Sequence, residues 1–155
     1  MEIERKFLVN LEKNPYNLAE AEVLEIEQAY LCTGPVVRIR RENDDYYLTY
    51  KSKGNDKNWM LAHEEYNLPL TKEAYEHLLT KADGNVITKK RYVLPLENKL
   101  FIELDVFEGK FAGLVLAEVE FPDVETAESF IMPDWFTEDV TYDRNYHNSV
   151  MSMKK

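Results

Sequence analysis

The residues of this chain that could do chemistry are charged side chains at a spacing of two. Glu2, Glu4 and Lys6 alternate with the apolar residues Ile3 and Phe7 at the start of the sequence. Period-two alternation is typical of a β-strand with one charged and one apolar face. Two carboxylates on such a face can bind a hard divalent cation, and an ammonium group can bind an anion.

The same spacing recurs in later segments, and the sign of the charge differs between them. Basic residues at this spacing lie in the middle of the chain: Arg38, Arg40, Lys51, Lys53, Lys89 and Arg91. The acidic residues of the later segments are Glu65, Glu103, Asp105, Glu118 and Glu120. One charged strand face usually meets solvent, but several such faces on an open sheet would set like charges side by side, where they repel.

A closed barrel would give these charges a common interior, because alternate residues of every strand then converge on one lumen. Carboxylates in that lumen could hold divalent cations, while lysines and arginines could hold a polyphosphate. The sequence therefore predicts a lumen that is polar and liganded rather than a packed apolar core.

Two amphipathic helices are predicted between the strands, over residues 71–82 and 123–131. Thr71 and Asp123 are expected to cap them, and their apolar stripes are expected to cover the outward apolar faces of the strands. Residues 143–153 form a weaker third candidate, and residues 54–58 are expected to form a turn. The predicted fold class is α+β, mainly antiparallel β, with a closed barrel, a charged interior and flanking helices.

Length and composition favour one globular domain over residues 1–155, since 45% of the residues are apolar. No segment approaches the roughly 20 apolar residues of a membrane span, and the N-terminus is charged rather than signal-like. We therefore expect a cytoplasmic protein with no membrane partner. The single cysteine, Cys32, excludes an internal disulfide and is expected to pack rather than to react.

The net charge of −10 argues against nucleic acid as a partner. The predicted lumen holds as many acidic as basic residues, so the outer surface carries the whole negative charge. Such a surface repels DNA and RNA, whose binding requires phosphate neutralisation over a wide footprint. A small phosphate chain that enters a cationic lumen has no such requirement.

Taken together, these motifs resemble those of the CYTH family, also called triphosphate tunnel metalloenzymes. The N-terminal ExExK strand of that family corresponds to Glu2, Glu4 and Lys6. The resemblance spans the chain and continues through these motifs: Gln28-Ala29-Tyr30-Leu31, Arg38-x-Arg40, Thr49-x-Lys51, Lys89-x-Arg91, Glu103-x-Asp105, Glu118-x-Glu120 and the segment 140–148.

The resemblance implies an eight-stranded antiparallel barrel that forms a tunnel and binds a small triphosphate together with Mg²⁺ or Mn²⁺. Short members that begin in this way are most similar to inorganic tripolyphosphatases, so hydrolysis of tripolyphosphate to pyrophosphate and phosphate is the leading expectation. A class IV-type adenylyl cyclase, a thiamine triphosphatase and a polyphosphate-binding module without turnover are the alternatives. A homodimer is compatible with this family, although the sequence shows no interface patch.

The resemblance also implies a role for each charged residue. The expected metal ligands are Glu2, Glu4, Glu65, Glu103, Asp105, Glu118 and Glu120. The expected phosphate-binding residues are Lys6, Arg38, Arg40, Lys51, Lys53, Lys89 and Arg91. The candidate catalytic residues are Glu2, Glu4, Tyr30, Lys51 and Lys89.

Two candidates exist for the base that accepts a proton from the attacking water. The simpler one is Glu4 or Glu2. The other is Tyr30, provided that Lys51 lies within hydrogen-bond reach and lowers the pKa of the phenol. The chain departs from the family at His63, where a second inward glutamate is common, and at Leu61, where a basic residue is usual. We do not expect His63, His77 and His147 to form a metal cluster.

Overall fold

The computed structural model describes residues 1–52 and 61–155. Lys53, Trp59 and the predicted turn 54–58 lie outside the described residues. The strands are β1 Glu2–Val9, β2 Glu22–Thr33, β3 Val36–Glu42, β4 Asp45–Ser52, β5 Ala62–Pro69, β6 Asp83–Pro95, β7 Phe101–Phe107, β8 Val115–Glu120 and β9 Phe136–Asp139. The helices are α1 Lys72–Leu79, α2 Val124–Ser129 and α3 Asn148–Met151.

The strands form an antiparallel barrel. Their order is β5-β4-β3-β2-β6-β7-β8-β1, and β1 pairs again with β5, so that eight strands close on themselves. Closure depends on a short pairing in which Glu2 lies opposite His63 and Ile3 opposite Ala62. The predicted eight-stranded barrel and the mainly antiparallel α+β class are confirmed.

The ninth strand was not expected from the sequence. Because β5 occupies only the first residues of one edge of β1, the remaining edge is available, and β9 pairs there with residues Phe7, Leu8 and Val9. A strand of four residues is too short to show a clear alternation. Phe136, at the start of this strand, and the preceding Trp135 are both buried in the apolar core.

The two predicted helices lie on the outside of the barrel with the expected N-caps. Thr71 accepts a hydrogen bond from the amide of Ala74, and Asp123 accepts one from that of Thr126. Beneath α1, Tyr75 packs with a buried cluster from β2 and β3. Ala127 of α2 packs into the larger cluster that includes residues of β1, β7 and β8. The apolar strand faces therefore point outward, as predicted.

The third helix candidate is much shorter than its predicted span of 143–153. Asp143 accepts a hydrogen bond from the amide of Asn145 and stabilises a separate tight turn. His147 then adopts an extended backbone conformation, so that α3 begins only at Asn148. The single helical turn lies against the start of β6, where Gly84 has a φ of +69° and a side chain would collide with the carbonyl of Ser152.

One end of the lumen corrects the prediction of a wholly polar interior. Beyond the ionic residues of β6, β7 and β8, the next inward positions are Ile87, Phe107 and Leu116, and all three are buried. They pack with Tyr30 and with Met151 of α3. The spacing of two correctly predicted that this strand face points into the barrel. At this end of the lumen, however, the inward side chains form a small apolar core.

Among the described residues, no helix is long and apolar enough to cross a membrane.

Candidate active site

The structure brings most of the predicted site residues onto one cavity of about 120 Å³ inside the barrel. Each strand contributes through its inward positions, because the alternation that buries its apolar face outside directs the ionic face to the lumen. The predicted residues that line the cavity are Glu2, Glu4, Lys6, Tyr30, Arg38, Arg40, Lys51, Glu65, Lys89, Arg91, Glu103 and Glu118.

An acidic cluster lies where β1 meets β5. His63 Nε2 is 2.7 Å from Glu2 Oε1, and Lys51 Nζ donates to the same oxygen at 3.2 Å. Glu65 shares a hydrogen bond with Glu2. One ligand atom from each of Glu2, Glu4 and His63 lies within 4.8 Å of the other two.

The carboxylates of this cluster have different electrostatic environments. Burial raises the pKa of Glu2, but hydrogen bonds from His63 and Glu65 and the charge of Lys51 outweigh it and hold the pKa well below its usual range. Burial and the neighbouring charges of Glu118 and Glu2 raise the pKa of Glu4 well above its usual range. Burial and the bond to Glu2 also raise the pKa of Glu65. The ionised forms of Glu4 and Glu65 are therefore disfavoured unless a further cation lies beside them.

Glu4 is the least compensated carboxylate. Within residues 1–52 and 61–155, its side chain makes no hydrogen bond or ion pair. A buried carboxylate beside two others is costly unless a cation neutralises it. Oxygen atoms of neighbouring carboxylates are the ligands that hard divalent cations prefer, so the residues present fit a metal ion at this position.

The remaining predicted metal ligands lie outside this group. Asp105 accepts two hydrogen bonds from Arg91, at 2.7 and 2.9 Å, and forms a 2.7 Å ion pair with Lys89. Glu118 pairs with Lys6 at 3.4 Å, while Glu103 accepts from Arg91 at 3.1 Å. The exposed Glu120 follows at the mouth of the tunnel.

These ion pairs and the burial of the groups shift the pKa values of Asp105 and Lys89. Burial raises the pKa of Asp105, but the charges of Arg91 and Lys89 hold it below its usual range. Burial lowers the pKa of Lys89 to about 7, although Asp105 opposes that shift. Asp105 therefore anchors two of the cations that the sequence assigned to phosphate.

The basic wall of the cavity is formed by β3. Arg38 donates from one terminal nitrogen to Thr49 Oγ1 at 3.2 Å, while its Nε is buried without a hydrogen-bond partner among the described residues. Arg40 donates to Gln28 Oε1 at 2.9 Å. Burial and the charges of Arg38 and Arg91 lower the pKa of Arg40 to about 10. An orphaned guanidinium nitrogen beside crowded cations fits an anion, and phosphate matches the fork of Arg.

Tyr30 and Lys51 do not meet. The hydroxyl of Tyr30 accepts a hydrogen bond from Gln28 Nε2 at 3.3 Å, and Lys51 reaches the acidic cluster instead. Tyr30 lines the cavity from the apolar layer below it. The pairing that would make Tyr30 a base is therefore absent from the described part of the chain.

The C-terminal segment contributes residues that sequence reasoning missed. Asn148 Oδ1 accepts hydrogen bonds from Lys89 at 3.1 Å and from Gln28 at 3.0 Å. The carbonyl of Tyr146 accepts one from Lys6 at 3.0 Å, and His147 lines the cavity beside them. The resemblance over segment 140–148 marked this region, but nothing in its residue types pointed to the lumen. His63 could have been found, because it shares a strand face with Glu65.

Comparisons with known proteins agree with this geometry. The CYTH domain matches residues 1–149, and the chain belongs to this family. It is 35% identical over 155 residues to a protein named inorganic triphosphatase from Nitrosomonas europaea, covering 98% of this chain and 97% of that protein. It is 36% identical over 148 residues to a protein of the same name from Acetivibrio thermocellus, covering 96% and 90% of the two chains.

Solved structures resemble the barrel as a whole. The crystal structure of the inorganic triphosphatase NE1496 superposes with a TM-score of 0.71 at 34% identity, over 100% of this chain and 96% of that one. The protein PH1012 from Pyrococcus horikoshii OT3 gives a TM-score of 0.61 at 26% identity, over 83% and 82% of the two chains.

Proposed function

We propose that this protein is a metal-dependent triphosphatase that hydrolyses inorganic tripolyphosphate to pyrophosphate and phosphate inside the barrel. The observation that carries the proposal is a pair of charged groups that line one cavity and lack a direct partner among residues 1–52 and 61–155. The carboxylate of Glu4 makes no ion pair with these residues, and the buried Nε of Arg38 has no hydrogen-bond acceptor among them. A divalent cation bound together with a phosphate chain satisfies both.

The relatives support the same activity. Proteins named inorganic triphosphatase align with nearly the whole chain at 35–36% identity, so their similarity extends over every strand that lines the lumen. Chemistry of this kind depends mainly on positioning and on neutralising charge, which a lumen with facing acidic and basic walls provides.

Glu2 and Glu4 would hold the cation, with Glu65 and Glu118 beside them. Mg²⁺ and Mn²⁺ both suit such oxygen donors; when bound, the ion neutralises phosphate charge and lowers the pKa of a coordinated water. Glu103 and Glu120 stand nearer the mouth, where they remain candidates for a further ion. Asp105 acts by fixing Lys89 and Arg91.

Arg38 and Arg40 would donate hydrogen bonds to the phosphate oxygens, and Lys6, Lys51, Lys89 and Arg91 would supply positive charge around the chain. Lys53 remains a predicted phosphate ligand outside the described residues. Water attacks the terminal phosphorus in line, the bridging P–O bond breaks, and pyrophosphate leaves with that bridging oxygen. A lumen carboxylate, Glu4 or Glu2, accepts the proton from the attacking water.

An assay with tripolyphosphate, ATP and thiamine triphosphate, each with Mg²⁺ or Mn²⁺, tests the proposal. We expect phosphate and pyrophosphate in equal amounts from tripolyphosphate, with the highest kcat/KM of the three substrates. Pyrophosphate with cyclic AMP from ATP would identify a cyclase instead. Faster turnover of thiamine triphosphate would identify a thiamine triphosphatase, and binding without product would identify a binding module.

Replacing Glu4 by Gln tests the metal site directly. We expect a loss of at least about 100-fold in kcat/KM, since a ligand and candidate base is removed. Thermal unfolding gives a second readout: Mn²⁺ should raise the Tm of the wild type and have little effect on Glu4→Gln. Without metal, the variant should be at least as stable as the wild type, because a buried, uncompensated charge is gone.

The matched control is Glu25→Gln, which changes an exposed carboxylate on the outside of β2. It should keep the wild-type activity and the wild-type response to Mn²⁺. Wild-type turnover in Glu4→Gln would exclude Glu4 from the mechanism. The cytoplasmic location and the homodimer remain predictions from the sequence.

A further inference from the structure

His63 occupies a position in the acidic cluster that its residue type alone did not suggest. It lies opposite Glu2 in the short pairing between β1 and β5 that closes the barrel. Its side chain is only 10% exposed, and its Nε2 atom points at Glu2 Oε1 from 2.7 Å. Backbone pairing and side-chain direction therefore place an imidazole nitrogen at the carboxylate cluster.

The three donor atoms of Glu2, Glu4 and His63 have a spacing that one ion can bridge. They lie within 4.8 Å of one another, and one pair is 2.7 Å apart. An octahedral ion with ligands at about 2.1 Å places neighbouring ligands about 3 Å apart and opposite ligands about 4.2 Å apart. The upper limit of 4.8 Å is close to the separation of two opposite ligands.

We propose that His63 Nε2 is a direct ligand of the catalytic cation, together with Glu2 and Glu4, and that it shifts the metal preference from Mg²⁺ toward Mn²⁺. The inference rests on the metal-dependent function proposed above and specifies its metal. Mg²⁺ favours oxygen ligands and gives up water reluctantly, whereas imidazole nitrogen suits transition metals. On binding, the ring proton resides on Nδ1, so that Nε2 offers its lone pair.

The competing role for His63 is to position Glu2 through a hydrogen bond. The variant His63→Gln separates the two roles, because its amide can still donate a hydrogen bond to Glu2 but is a poor metal ligand. A positioning role predicts nearly unchanged Mn²⁺ affinity in this variant. A ligand role predicts a loss of about tenfold or more for Mn²⁺ and a much smaller loss for Mg²⁺.

The decisive measurement is pulsed electron paramagnetic resonance of the Mn²⁺-loaded protein without substrate. We expect hyperfine coupling to a directly bound ¹⁴N nucleus in the wild type and its disappearance in His63→Gln. The matched control is His77→Gln, which changes an exposed histidine on α1 and should retain the coupling. Calorimetric titrations with Mn²⁺ and Mg²⁺ provide the affinities of the same three proteins.

A reciprocal variant, His63→Glu, replaces the nitrogen by oxygen. It should lower the ratio of Mn²⁺ to Mg²⁺ affinity relative to the wild type and remove the nitrogen coupling. An unchanged ratio, or no directly bound nitrogen in the wild type, would overturn the role of His63. If the wild-type protein still bound Mn²⁺ and hydrolysed tripolyphosphate in that case, the triphosphatase proposal would stand. Absence of both metal binding and hydrolysis would overturn both proposals.

Discussion

At the scale of single residues, the lumen contains two kinds of charge. Some groups already neutralise each other, as Asp105 does with Lys89 and Arg91. Others have no hydrogen-bond or ion-pair partner among residues 1–52 and 61–155, as with the carboxylate of Glu4 and the Nε of Arg38. Charged groups without partners reduce stability, so the function proposed above predicts that ligands bound at these positions stabilise the protein.

Arg38→Lys tests the basic wall at this scale. Lysine retains the positive charge but loses the planar fork, so we expect the KM for tripolyphosphate to rise about tenfold with a smaller change in kcat. Steady-state kinetics measure both constants. Arg41→Lys, on the outward side of the same strand, is the control and should match the wild type. An unchanged KM in Arg38→Lys would show that the fork does not grip the substrate.

At the scale of elements, β1 contributes three charged residues to the cavity, Glu2, Glu4 and Lys6, and pairs with three other strands. It pairs with β8 along one edge and shares the other edge between β5 and β9. Between the inward residues Glu4 and Lys6, Arg5 points outward and donates to Asp139 at 2.7 Å and to the carbonyl of Ala127 at 2.8 Å. The outward side chain of Arg5 thus holds β1 in place, and this strand positions Glu4 and Lys6 in the lumen.

Asp139→Asn tests this anchoring through pH. Burial raises the pKa of Asp139, but hydrogen bonds from Thr141 and Arg5 outweigh it and hold the pKa below its usual range. The ionised carboxylate therefore stabilises the fold above its unfolded pKa, and the contribution disappears as pH falls through the folded pKa. We expect a loss of about 1 kcal/mol in the free energy of unfolding at pH 7, reduced for partial exposure.

Urea denaturation across pH measures this difference. The gap between wild type and Asp139→Asn should narrow below about pH 4, where the wild-type carboxyl begins to protonate. Glu138→Gln, at an exposed position of β9, should show no such gap. A gap that stayed constant down to pH 2 would mean that the ionised form of Asp139 contributes nothing.

Secondary structure and strand faces could largely be predicted from the sequence, because period-two alternation depends only on local backbone geometry. Thr71 and Asp123 capped their helices as predicted, since a cap is a local hydrogen bond. The brief β9 and the interruption at His147 escaped prediction. The strand β9 depends on a free edge of β1, which is distant in the sequence. At His147, the ring contacts the carbonyl of Thr141, a turn contact that the alternation of residue types does not indicate.

At the scale of the whole molecule, the lumen changes character along its axis. Ionic residues occupy the part that includes Glu103 and Glu118, and an apolar layer with Met151 fills the opposite part. The C-terminal segment covers that layer and accepts hydrogen bonds from the lumen residues Lys6 and Lys89. In the described part of the chain, the tunnel is therefore accessible from the ionic side and filled at the other.

A tunnel of this shape admits the end of a phosphate chain but not its middle. We expect long-chain polyphosphate to be shortened only from its termini, with a kcat/KM per chain below that of tripolyphosphate. Gel electrophoresis of the chain-length distribution over time measures this. Early accumulation of fragments of intermediate length would contradict a tunnel filled at one end.

The sequence by itself determined which side chains point inward, because alternation fixes the face of a strand wherever the opposite face is apolar. The family motifs added the closure of the sheet and the class of substrate. Only the tertiary structure decided which charges meet. It paired Asp105 with cations, gave Glu4 no ion pair among the described residues, and set His63 against Glu2. These contacts depend on strand register and on distances across the lumen that no local pattern encodes.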